Sequence, residues 1–311
     1  MRIRVILFVL VASVAAGCGP ISESSLPDLS DRETIRVVTT VGMIADAAER
    51  IGGPRVEVEG LMGPGVDPHL YKASEGDVRR LERADVILYG GLHLEAKMAD
   101  VLERIGERRL TSAVTDGIPR GDLIVAGGDQ YDPHVWFDVA LWTGAVRKVR
   151  DTLAAADPAH APGYRARAAL YLAELDALDA EARSKSEAVP RAARVIVTAH
   201  DAFGYFGRAY GYEVIGLQGI STASEAGAKD VRRLADLIAS RRIPAIFVES
   251  SVAPRTIEAV QEAVRSRGFD VAIGGSLYAD AMGSEGTPDG TYVGMVRHNV
   301  DTITRALGGP G

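Results

Sequence analysis

The sequence predicts an α/β fold with mostly parallel sheets. Short apolar, β-branched runs recur along it, each is followed by a stretch of helical periodicity, and 311 residues suffice for about two domains with ample core. The first run, Ile35 to Val41, leads into a helix near Met43 to Ile51. Val56 to Met62 comes next, then Ala84 to Tyr89, closed by Gly90-Gly91. After a long amphipathic stretch the pattern resumes at Val195 to Thr198 and continues at Glu213 to Leu217, Ala245 to Val248 and Val271 to Ile273. Strands alternating with helical segments read as βαβ units, since a parallel pair needs a crossover connection.

The middle of the chain differs. Between Asp157 and Val189 there is no glycine after Gly163 and no proline after Pro162. Leu170, Leu172, Leu175 and Leu178 fall near helical spacing among alanines and charges, and Pro190 closes the stretch. A helix of roughly 25 residues would run on the order of 40 Å. That length suits a bridge between two lobes or a long surface helix.

Ahead of the first strand, Arg2 and Arg4 precede an apolar run from Val5 to Gly17. The run is shorter than the roughly 20 residues a membrane-spanning helix needs, and fits the hydrophobic region of a secretory signal. The only cysteine, Cys18, directly follows Ala15-Ala16-Gly17. This resembles the cleavage box of bacterial lipoproteins, in which the cysteine is lipidated and becomes the new N-terminus; Ala15 stands where that box most often has leucine. Residues 19–33, rich in Ser, Pro and Asp, read as a flexible tether. The expected product is exported and lipid-anchored to a bacterial membrane on its periplasmic or cell-surface side. A composition 47% hydrophobic and 25% charged excludes a disordered or collagen-like chain. The net charge of −7 argues against a nucleic-acid binder that neutralises phosphates. A single cysteine excludes a disulfide framework and any cysteine-rich metal site.

Six histidines are present, so each can be weighed. His69 lies in a turn-rich loop, Gly63-Pro64-Gly65-Val66-Asp67-Pro68-His69, after an apolar run. His134 lies in Asp132-Pro133-His134-Val135-Trp136, after the glycines at 127 and 128 and at the start of a helix. His200 follows the strand Val195 to Thr198, and Asp280 comes just after Val271 to Tyr278. All four are expected at strand ends or helix starts, where open α/β sheets place their ligands. Three imidazoles and a carboxylate make a complete donor set for a divalent transition ion. His93, in Leu92-His93-Leu94-Glu95, reads as a residue near a cleft, while His160 and His298 read as surface residues. Glu249, at the end of a buried strand, reads as a structural or cap residue, with a hydrogen bond to a ligand histidine as the alternative. Trp136 and Phe137 read as packing, and Arg232, Arg233, Arg241 and Arg242 as solvated helix faces, or loosely as a surface for a partner protein.

The wording around these residues is specific. VDPHLYKAS (66–74), GGLHLEAKM (90–98), DPHVWFD (132–138), TAHDAFGYF (198–206) and GISTASEAGAKDV (219–231) resemble, in the right order, the TroA-like metal-binding lipoproteins of bacterial zinc and manganese ABC importers. The resemblance runs from about Ile35 to the end of the chain. It implies two α/β lobes joined by one long helix, with the metal in the cleft between them. The chain then divides into a signal at 1–17, a lipid tether at 18–33, an N-terminal lobe at 34–156, a connecting helix at 157–189 and a C-terminal lobe at 190–311. Carried over, the ligands are His69 and His134 from the first lobe and His200 and Asp280 from the second. They would hold one zinc or manganese ion as cargo for an ABC transporter permease, in a protein acting as a monomer. Zinc-specific members often carry a histidine- and acid-rich loop between the first two ligands, and here the segment before His134 is only Gly127-Gly128-Asp129-Gln130-Tyr131.

A secreted metallohydrolase using the same histidines is the alternative. It would need an open coordination position and a base, for which only Glu249 offers itself. The sequence holds no HExxH, GxSxG or GxxxxGK[ST] motif. A surface adhesin would call for a repeat array or β-rich stalk, and neither is present.

Overall fold

The computed structural model describes residues 27–308. The secretory signal and lipidation expected at 1–17 and Cys18, and most of the tether, lie outside the described residues. The end of the tether segment is held to the body. Leu29 is buried, its N–H donates to Ala156 O, and the Arg55 guanidinium donates to the carbonyls of Leu29, Ser30, Arg32 and Glu33.

The first half builds one parallel sheet. Its elements are β1 (Ile35–Thr39), α1 (Gly42–Gly52), β2 (Val56–Gly60), α2 (Glu75–Arg83), β3 (Val86–Tyr89), α3 (Ala99–Gly106) and β4 (Leu110–Ala113), with strand order β2-β1-β3-β4. Valine and isoleucine dominate β1 and β3, which are the two inner strands, and their burial on both faces is what such runs encode. Helix α2 starts at a capping box: the Ser74 hydroxyl accepts from Asp77 N–H, and the Asp77 carboxylate accepts from Ser74 N–H at 2.8 Å. A small antiparallel hairpin follows, β5 (Val125–Gly127) with β6 (Gln130–Tyr131). Neither β4 nor this hairpin was expected. The β4 sequence Leu-Thr-Ser-Ala lacks an apolar run, and the glycines at 127 and 128, both at positive φ, make a tight turn that reads as a loop.

Two long helices then cross the molecule. The helix α4 (Val139–Ala156) is capped by Asp138, whose side chain accepts from Leu141 N–H. The connecting helix α5 (Ala161–Glu187) buries Ala161, Tyr164, Ala168, Tyr171, Leu175, Leu178, Ala182 and Ser186, spaced three or four apart. This narrow stripe packs on α1 and α4. Of the expected periodic leucines, Leu175 and Leu178 are buried in the seam while Leu170 is 75% exposed; tyrosines and alanines make up the rest.

The second half comprises β7 (Val195–Thr198), α6 (Gly204–Tyr210), β8 (Glu213–Gly216), α7 (Ala228–Arg241), β9 (Ala245–Glu249), α8 (Arg255–Arg265), β10 (Ala272–Leu277) and α9 (Tyr292–Ala306). β7 pairs with β8 and β9 with β10, all parallel, and β7 lies beside β9. Side chains alternate between two cores. Ile196, Ala245 and Phe247 face the main core, which α5 and α9 share with the first half, and Val195, Val197 and Ile246 face a second core under α7 and α8. β10 carries a register shift between Ile273 and Gly275. Gly275 sits at φ 142°, where a Cβ would lie 2.5 Å from the Thr302 side chain, so only glycine fits this irregularity. The fold is thus two α/β lobes bridged by one long helix, and the C-terminal ends of β2, β7 and β10 lead to a common cleft.

Candidate metal centre

Each candidate ligand lies in a connection outside the regular elements. His69 lies in the loop after β2, His134 ahead of a single 3₁₀ turn (Val135–Phe137) leading into α4, His200 two residues past β7, and Asp280 three past β10. The fold brings all four together. One nitrogen or oxygen from each lies within 4.8 Å of all the others, and the residues are 0–3% exposed. His69 Nε2 is 3.2 Å from His134 Nε2, while His134 Nε2 and His200 Nε2 are each 3.3 Å from an Asp280 oxygen. Four ligands at about 2.0–2.1 Å from a central ion stand about 3.3 Å apart in a tetrahedron. His200 Nε2 and Asp280 Oδ1 are buried without a hydrogen-bond partner, a costly state unless something else takes their lone pairs. This His₃Asp cluster can hold one metal ion.

On His134 and His200 the remaining ring nitrogen is set by a carboxylate. Asp132 Oδ1 accepts from both His134 N–H (2.9 Å) and Nδ1 (2.7 Å). Glu249 accepts from His200 N–H through Oε1 and from Nδ1 through Oε2. Both rings therefore carry a proton on Nδ1 and aim Nε2 at the centre. Glu249, whose structural reading was preferred from sequence, is instead the hydrogen-bond partner of His200. Asp132 went unrecognised, although the Asp-Pro-His triplet occurring at both 67–69 and 132–134 was a signal for it. In each triplet the aspartate accepts the histidine's backbone N–H at 2.9 Å.

Charge follows the same division. Burial opposes the charged form of His134 and His200, but Asp132 and Asp280 lift His134 to about 9, and Asp280 and Glu249 hold His200 well above the usual imidazole range. Burial likewise opposes the Asp280 carboxylate, yet His200 and His134 keep it well below its ordinary value. His69 has no carboxylate on its ring, and burial pushes it down to about 4.

The other candidates fall outside the cluster. His93 is exposed, and the buried charged residue of its loop is Glu95, which takes the N–H groups of Gly90 and Gly91 and the Thr40 hydroxyl. His160 is a surface residue bonded to Asp157. His298, expected to face solvent, is half-buried: Nε2 meets Ser276 O at 2.9 Å and the ring packs on Tyr278. Trp136 and Phe137 are buried packing residues, and the four arginines of α7 and its end are exposed.

A two-lobed fold with a buried three-histidine, one-aspartate cluster in its cleft defines a metal-binding substrate-binding protein. Residues 37–306 match the model of the family described as zinc-uptake complex component A, periplasmic, and the chain belongs to that family. It is 50% identical over 309 residues to the manganese-binding lipoprotein MntA of Bacillus subtilis, covering 99% of this chain and all of that one. It is 54% identical over 271 residues to the zinc-binding protein TroA of Treponema pallidum, covering 87% of this chain and 88% of TroA. The solved structure of the periplasmic zinc-binding protein TroA superposes with a TM-score of 0.87 at 53% identity, over 88% of this chain and 99% of that one. The family is one of uptake-complex components, not of enzymes.

Proposed function

We propose that this protein captures one zinc or manganese ion outside the cytoplasmic membrane and delivers it to the permease of an ABC importer. The observation that carries this reading is the buried His69, His134, His200 and Asp280 cluster, whose nearest ligand-to-ligand distances match a tetrahedral ion. Four protein ligands leave no position for an activated water, which suits holding over hydrolysis. Relatives named for manganese and for zinc stand at similar identity, so either ion is a cargo consistent with the site. Cys18 would anchor the mature chain through a lipid, and the monomer would be the working unit. The chain divides functionally at 34–156, 157–189 and 190–311, with the middle segment as the stiff connection between lobes.

The test is a competition titration of metal-stripped protein, made from Ser22 onward, with zinc and manganese at neutral pH. One ion per chain, with zinc bound tightly and manganese more weakly, supports zinc uptake. Comparable tight binding supports a carrier whose cargo follows supply. Failure to bind either ion overturns the ligand assignment.

A further inference from the structure

The two Asp-Pro-His segments are anchored to the opposite lobe very differently. The segment bearing His134 is fastened at three points. The Tyr205 hydroxyl donates to Asp132 O (2.9 Å), Trp136 Nε1 donates to Ala279 O (3.1 Å), and the Tyr292 hydroxyl donates to Trp136 O (2.7 Å). All three aromatics are buried, and Ala279 is the neighbour of Asp280. His134, His200 and Asp280 therefore share one rigid frame, although His134 comes from the other half of the chain.

The segment bearing His69 has one such tie. The Thr222 hydroxyl, from the loop between β8 and α7, donates to Asp67 Oδ2 at 2.6 Å, while Asp67 Oδ1 accepts His69 N–H at 2.9 Å. Among the described residues this is the only hydrogen bond from residues 61–72 to the second half that a side chain makes. Leu70, next to the ligand, is 49% exposed, so the loop's outer face meets solvent.

We propose that Thr222 is the latch that sets how long the ion stays bound. Through Asp67 it holds His69 in its ligating position, and the ion leaves by movement of the 61–72 loop away from a fixed three-ligand half-site. Thr222 touches no ligand atom and is a positioning residue. This inference rests on the metal-capture reading above.

The test is zinc dissociation from purified, zinc-loaded protein, followed by stopped flow into an excess of a chromogenic chelator. Thr222→Val keeps the side-chain shape and removes the donor. A hydrogen bond to a carboxylate is worth enough for about a tenfold change in rate. Dissociation should therefore quicken about tenfold, with association within about twofold of the parent and the metal-free melting temperature unchanged. Thr222→Ser, which keeps the hydroxyl, should stay within about twofold. In an Asp67→Ala background, Thr222→Val should add nothing. A Thr222→Val rate equal to the parent's overturns the latch, as does a serine variant as fast as the valine one. So does a full additive effect on Asp67→Ala, or a loss of metal-free stability, which would make Thr222 merely structural. A parent chain that holds no zinc at all overturns the capture reading and the latch with it.

Discussion

Glu249→Gln separates a carboxylate that tunes the metal from one that only packs beneath it. In the parent, Oε1 accepts from His200 N–H at 2.9 Å and Oε2 from His200 Nδ1 at 2.5 Å. Both partners are donors, so an acceptor-only group suits the place and an amide does not. If the glutamine oxygen faces Nδ1, its NH₂ confronts the backbone N–H. If the NH₂ faces Nδ1, the ring proton must move to Nε2, the atom aimed at the ion. Either arrangement removes a charge-assisted hydrogen bond worth about 1.5–3 kcal/mol at a fully buried pair.

A second effect works the other way. Glu249 is, with Asp280, one of the carboxylates that favour the protonated form of His200. Removing its charge makes the competing proton easier to displace and returns part of the lost affinity. The net defect in zinc affinity at pH 7 should fall near the lower end of the roughly 10- to 100-fold span for losing such a partner. As pH rises, proton competition fades in the parent as well, so the defect should widen toward about 100-fold near pH 9. Chelator-competition titrations at the two pH values read this directly. An affinity within about twofold of the parent at both, with the metal-free protein folded, would refute the role assigned to Glu249.

His200→Ala and Asp280→Ala should each weaken zinc binding by orders of magnitude while the metal-free fold persists; parent-like binding by either variant removes that residue from the ligand set. At pH 7 the metal must displace protons from His134, lifted to about 9, and from His200, held higher than usual, but not from His69, pushed down to about 4. Calorimetry in buffers of different ionisation enthalpy should therefore show net proton release on zinc binding, and affinity should rise with pH through neutrality; no buffer dependence would contradict this. Gly216→Ala would place a Cβ 2.5 Å from Asp201 N and 2.7 Å from Gln218 O, backbone atoms beside His200 that cannot swing aside. It should cost about 1–3 kcal/mol in urea unfolding and weaken zinc binding together, and a neutral result would mean the strand end yields more easily than its packing implies.

The fold was legible where a segment's own pattern carries the signal. The runs at Ile35, Val86, Val195 and Ala245 are β-branched and buried on both faces, and they became β1, β3, β7 and β9 within a residue or two. The long helix was legible because its sequence lacks anything to stop it. Its seam was legible only in part: Leu175 and Leu178 are buried as their spacing implies, whereas Tyr164 and Tyr171 bury more than Leu170 because of what α1 and α4 present to them. The strand β4 and the hairpin escaped because polar Thr-Ser and paired glycines read as loop. At the site, the four candidate ligands stand out as rare or charged residues at strand ends. Their partners do not, since Glu249 meets His200 across 49 residues and Thr222 meets Asp67 across 155.

The repeated Asp-Pro-His triplet shows where local sequence stops deciding. In both copies the aspartate folds back onto the histidine's backbone N–H in the same two-residue turn. In the second copy the same oxygen also takes the imidazole Nδ1, and tyrosine and tryptophan side chains hold the segment against the opposite lobe. In the first copy the second oxygen faces outward across the cleft, and a threonine from a distant loop takes it. One triplet thus yields a fixed ligand whose pKa stands near 9 and a latched ligand whose pKa stands near 4. A site assembled this way has a preformed half to receive the ion and a movable part to retain it. If the proposed latch operates, capture can be fast while the Thr222–Asp67 hydrogen bond governs retention, a combination suited to a carrier that must give its cargo up.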